Sequence, residues 1–153
     1  RELHSLRRRF LQHVSDRDYI TRDEFAAIPS VNISPLRDRL MVCFGFHQLD
    51  WLPFRDFAEA IAPFNNPSAP ADQKLRVAFQ LQDFDDDGEL SATDVRCYLE
   101  RIITIPEGAE IDLEAVAARI IQEACTNPAQ KAITQADFSR VMQGADLRLY
   151  IPL

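Results

Sequence analysis

The chain has 153 residues, 46% hydrophobic and 27% charged, enough for one globular domain or two small lobes. No run approaches the about 18 consecutive apolar residues of a membrane span, and a net charge of −7 makes a phosphate backbone a poor partner. Cys43, Cys97 and Cys125 are odd in number and sit in apolar helical patterns, so they read as reduced, buried thiols of an intracellular protein. The chain opens on Arg1, which leads us to expect a preceding segment, with any lipidation signal lying there.

The periodic signals are helical throughout. Leu3, Leu6, Phe10 and Val14 share the face of a first helix. Leu36, Leu40, Cys43 and Phe44 share another after Pro35, a residue suited to a first helical turn. Phe54, Phe57, Ala58, Ile61 and Phe64 follow, and then the polar, proline-bearing stretch 65–70 reads as an interlobe linker. Leu75, Ala78 and Phe79 open the second half. Val95, Tyr98, Leu99, Ile102 and Ile103 form one regular stripe there, and Leu113, Val116, Ala117, Ile120, Ile121 and Ala124 form another. Phe138, Val141 and Met142 precede Gly144, a plausible helix stop. About eight short helices with little strand signal make an all-α protein.

Helix starts repeat. Thr21-Arg22-Asp23-Glu24 is a capping box, and Ser91–Asp94 and Thr134–Asp137 share its outline with a shorter acid. A lone aliphatic precedes each cap: Ile20, Leu90 and Ile133. Leu52 before Pro53-Phe54-Arg55-Asp56 supplies a fourth copy, so the chain is an internal repeat.

The third copy explains the repeat. Residues 83–94, DFDDDGELSATD, match the twelve-residue ion-binding loop of the EF-hand. Asp83, Asp85 and Asp87 supply hard carboxylate oxygens at a spacing of two, and Gly88 permits the sharp turn. The Glu89 backbone carbonyl is the expected next ligand, Ser91 acts directly or through water, and Leu90 turns into the core. Asp94 closes the shell. It is one methylene shorter than the usual glutamate, which lowers the coordination number and favours Mg²⁺ relative to Ca²⁺. A Ca²⁺ affinity of roughly 10⁻⁶–10⁻⁴ M is expected.

The other three loops have lost this chemistry. The first begins at His13 and places Arg17 fifth. The second begins at Gly45 and lacks carboxylates at positions one, three and five, as does the fourth, which begins at Thr126. Of the four glycines, at 45, 88, 108 and 144, only Gly88 is sixth in a loop, so one metal site at most is expected. His4, His13 and His47 lack ligand-spaced partners and read as surface residues.

With four hands assigned, the chain resembles the calcineurin B family, and within it the calcineurin B homologous proteins that serve ion exchangers. The resemblance is carried by Phe25-Ala26-Ala27-Ile28-Pro29 leading to Ser34–Leu40, by Gln73–Phe79 entering the third hand, and by Gly144–Leu147 before a short apolar tail. It implies two paired lobes with at most short β-bridges. Residues 1–64 would hold two degenerate hands, 71–144 an intact and a degenerate one, and 145–153 the tail. It also implies a non-catalytic regulatory subunit with Ca²⁺ in the third hand, cytoplasmic or membrane-associated through its partner. Its groove would enclose an amphipathic helix of a phosphatase catalytic subunit or an ion transporter. The tail would cover that groove or pack beside the helix. Ten phenylalanines but only two methionines suit one dedicated partner.

The alternative is a constitutive light chain of a cytoskeletal or ciliary assembly, with metal incidental. An enzyme is not indicated, because no nucleophile–base pair, phosphate-cradling glycine loop or zinc spacing is legible.

Overall fold

The computed structural model describes residues 2–145 and 150–152. It divides into two compact units, Arg1–Pro70 with Arg148–Leu153, and Ala71–Leu147. In chain order the first contains α1 (Glu2–His13), β1 (Tyr19–Thr21), α2 (Arg22–Ala27), α3 (Pro29–Asn32), α4 (Arg37–Cys43), β2 (Trp51–Pro53) and α5 (Phe54–Asn65). The second contains α6 (Ala71–Gln80), β3 (Glu89–Ser91), α7 (Ala92–Ile102), α8 (Leu113–Ala124), β4 (Ala132–Thr134) and α9 (Gln135–Val141). Nine helices with two short antiparallel strand pairs, among the described residues, make this an all-α EF-hand fold.

The repeated aliphatics build the ties between hands. Ile20 faces Leu52 across β1 and β2, and Leu90 faces Ile133 across β3 and β4. All four side chains are buried, so each three-residue ladder is anchored by an apolar pair beneath it. The capping boxes form at Thr21, Ser91 and Thr134, where each hydroxyl accepts from the amide three residues on. Pro53 takes the same place before α5 without a side-chain cap.

Nine of the ten phenylalanines are buried, Phe84 excepted. In the first unit Phe25 lies 4.5 Å from Phe44 and 5.1 Å from Phe46, while Phe10 meets Phe54 at 5.0 Å and Phe57 at 5.1 Å. In the second, Phe79 of α6 meets Phe138 of α9 edge-on at 5.5 Å.

The end of the chain joins the first unit. The Asn65 side chain donates to the Ile151 carbonyl at 2.7 Å and accepts from its amide at 2.9 Å. The Ser30 hydroxyl donates to the Pro152 carbonyl at 2.6 Å, and Ile151 is buried. The rest of the apolar tail, Leu147–Leu149 and Leu153, lies outside the described residues, as does Asp146 of the motif before it.

Several expectations need correction. Pro35 lies in a turn before α4, which begins at Arg37. The three cysteines are in no disulfide among the described residues, and they are half-buried rather than buried. Leu3 is 61% exposed and lines a cleft of about 410 Å³ together with Leu6, Arg9, Ile61 and Asn65. His13 is half-buried rather than superficial, and its Nε2 is enclosed. The apolar stripes are also incompletely packed. Ile102, Ile103, Val116 and Val141 are exposed, and so is Trp51 in β2.

Candidate metal centre

The third loop gathers its carboxylates. Oxygens of Asp83, Asp85 and Asp87 all lie within 4.8 Å of one another, with Asp83 buried and the other two exposed. Backbone amides aim them. The Asp83 carboxylate accepts from Asp87 N at 3.2 Å and Gly88 N at 2.9 Å, and Asp87 accepts from Glu89 N at 2.8 Å. Bringing those amides round requires left-handed backbone at Asp86 (φ 57°) and Gly88 (φ 87°). Burial pushes the Asp83 carboxyl above its ordinary value, against the pull of the Gly88 and Asp87 amides, and the Asp86 and Asp87 charges add to the rise.

None of the three carboxylates enters an ion pair among the described residues. Hard oxygens crowded together without an internal countercharge are the donor set of a divalent cation such as Ca²⁺ or Mg²⁺, and these residues fit one.

Asp94 stands apart from that cluster. Its Oδ1 accepts from Phe84 N at 3.0 Å, and its Oδ2 from Ser91 N at 2.9 Å and the Ser91 hydroxyl at 2.5 Å. At 2% exposure it is fully committed to closing the loop on itself and starting α7. Both Ser91 and Asp94 are therefore turned to the helix cap, and Glu89 contributes to the loop through its backbone in β3.

The fourth loop closes without acidic partners. Asp137, its twelfth residue, accepts on Oδ1 from Thr126 Oγ1 at 2.6 Å and Thr126 N at 3.3 Å. Its Oδ2 accepts from Thr134 Oγ1 at 2.8 Å and Gln130 Nε2 at 3.3 Å. The Thr126 and Thr134 hydroxyls hold this carboxyl well below the usual carboxylate range. Positions one and five of an ion loop have here become donors to position twelve. That was legible only as a loss of ligands; the signal is a threonine and a glutamine standing opposite an aspartate.

The first loop is closed by an ion pair between Arg17 and Glu24, its fifth and twelfth residues. Glu24 also accepts from Thr21 N at 2.9 Å and the Thr21 hydroxyl at 2.8 Å. In the second loop, Asp56 is exposed.

Sequence relatives place these paired hands in a family. A calcineurin B of Candida glabrata, by name a subunit, is 30% identical over 128 residues, covering 80% of this chain and 69% of that protein. The chain belongs to the calcineurin B family. Calcineurin B homologous protein 3 of Homo sapiens is 24% identical, with 95% of this chain and 81% of that protein covered. The calcineurin B of Naegleria gruberi, again named as a subunit, is 26% identical, with 96% and 82% covered. No family model matches the chain. Among the described residues, no helix is long and apolar enough to cross a membrane.

Proposed function

We propose that this calcineurin B-like chain is a non-catalytic, calcium-binding regulatory subunit. Its second unit would take up an amphipathic helix of a larger partner, a phosphatase catalytic subunit or an ion transporter. The observation that carries this reading is the unpacked aliphatic rim of that unit. Ile102 and Ile103 at the end of α7, Ile105 and Ile111 in the segment that follows, and Val116 on α8 are each at least 38% exposed. Relatives named as subunits, and one named for homology to calcineurin B, support it further. A net charge of −7 favours a partner helix whose polar face is basic.

In this reading one divalent ion binds in the third hand, held by Asp83, Asp85, Asp87, the Glu89 carbonyl, Ser91 and Asp94. The ion supplies positive charge where three carboxylates repel one another. Asp94 and Ser91 reach it only by releasing part of the cap of α7, the helix that ends at Ile102. Ion binding and the presentation of the apolar rim are thereby linked. The subunit is cytoplasmic, with any membrane contact made through its partner or a lipidated N-terminus.

A constitutive light chain, the second reading, draws support from the first and fourth loops, which close with protein groups alone. The test is titration of a synthetic amphipathic helix, apolar at i, i+3, i+4 and i+7 and otherwise lysine-rich, into the full chain with Ca²⁺ or with chelator. A regulator binds it with different affinity in the two conditions. Equal affinity supports the light chain, and no binding in either removes the helix-binding role.

A further inference from the structure

Three of the four loops lack an ion's carboxylate cage, yet the first is built as though it held a cation. It shares with the intact third loop a left-handed residue at the fourth position, Asp16 (φ 55°) against Asp86 (φ 57°). It retains the full-length closing glutamate that the third loop lacks, and its capping box is complete. Glu24 is nevertheless not left facing empty space. The Arg17 guanidinium, at the fifth position where Asp87 stands in the third loop, pairs with its Oε1, while Thr21 saturates Oε2.

We propose that Arg17 is the resident cation of the first hand, a tethered guanidinium that does for Glu24 what a divalent ion does elsewhere. Two further contacts hold it there. Its Cζ lies 4.8 Å from the centre of the Tyr19 ring, and Tyr19 meets Trp51 across the strand pair at 5.6 Å. The guanidinium is thus held between an aromatic face and a carboxylate, and it is the positive charge there, which a lysine would also carry, that stands in for the ion. The charges respond accordingly. Burial raises the Glu24 carboxyl, but the Thr21 donors and Arg17 outweigh it and leave it below its ordinary value. Arg17 is held above its own first by its side-chain hydrogen bond with Tyr19 and then, against desolvation, by the Glu24 charge.

The fourth hand reaches the same end chiefly with neutral donors, Thr126 and Gln130, with the Arg140 guanidinium 3.8 Å from Asp137 beside them. The first hand keeps the electrostatics of an ion loop and makes the ion part of the chain. The β1–β2 pair of the first unit is therefore closed at all calcium concentrations, and any response to ion belongs to the second unit.

Amide exchange of the full-length chain at β1 and β2, read at Ile20 and Leu52, tests this with Ca²⁺, with Mg²⁺ and with chelator. Wild-type protection there is the same in all three conditions. Arg17→Met speeds exchange by about fivefold, the scale of a half-exposed ion pair. The double variant Arg17→Met/Glu24→Gln recovers most of the loss, because the carboxylate left unpaired is removed with its partner. Should Arg17→Met fail to fold, Arg17→Lys carries the test and retains most of the wild-type protection. The proposal is overturned by wild-type protection at β1–β2 that depends on divalent ion, by an Arg17→Met variant that exchanges like wild type, by a double variant no better than the single, or by a lysine variant that loses protection.

Discussion

Replacing Asp83 with Asn separates its service to the ion from its service to the loop. The substitution keeps the side chain's shape and one oxygen acceptor while removing a charge. Asp83 accepts from two amides, Gly88 N at 2.9 Å and Asp87 N at 3.2 Å, so the asparagine leaves one of them without its bond. That loss costs about 1–2 kcal/mol. Relief of repulsion from Asp86 and Asp87 offsets part of it, so ion-free stability changes little. The ion's loss is larger. One unit charge against a divalent cation about 4 Å away contributes about 2 kcal/mol even at the dielectric of water. Asp83 is 5% exposed, which makes the water value a floor, and a fall in Ca²⁺ affinity of about thirtyfold or more follows. Calorimetric titration of wild type and Asp83→Asn, with circular dichroism to verify helix content, measures both terms. Equal affinity in a folded variant would show that the ion does not bind at Asp83, and the third loop would be merely an acidic turn.

Asp94→Glu restores the reach of the closing ligand and is expected to raise Ca²⁺ affinity by about tenfold, read by the same titration. Asp137→Asn bears on acid stability. The wild-type carboxyl is depressed by Thr126 and Thr134, so its contribution is complete above the ordinary carboxylate pKa and is lost as pH falls through the depressed value. The variant should be less stable than wild type at neutral pH, and the difference should close in strong acid, as followed by thermal melts across pH. Ile151→Ala removes a buried side chain that the Asn65 amide holds in place, and should destabilise the first unit by about 2 kcal/mol in urea unfolding.

Much of this architecture was written locally and could be read locally. Ile20, Leu52, Leu90 and Ile133 each precede a helix start at a fixed offset, and that offset alone is enough to pair them across short strands. Asp83, Asp85, Asp87 and Gly88 are likewise a motif whose spacing is its geometry. Competition between partners was not legible. Asp94 is spaced as a ligand, yet Phe84 N and Ser91 hold both its oxygens, because a short carboxylate reaches the cap of its own helix more readily than the loop's centre. Arg17 and Thr126 register in the sequence as missing ligands, and only the folded loop shows that they have become donors. The exposed ends of α7 and α8 were hidden for a different reason. Periodicity marks an apolar face but does not say whether the chain itself supplies the cover, as Ile102 and Val116 illustrate. The attachment of Ile151 to Asn65 joins residues 86 apart, beyond the reach of any local pattern.

The calcium-binding part of the proposed function turns on the expectation that the third hand alone holds an ion. Calorimetric titration of Ca²⁺ into the full chain, at physiological Mg²⁺, tests it most directly. One ion per chain is expected, with a dissociation constant of roughly 10⁻⁶–10⁻⁴ M. Two or more ions per chain would contradict the reading of the first and fourth loops as self-closed, and no binding at all would remove calcium from the function of the third.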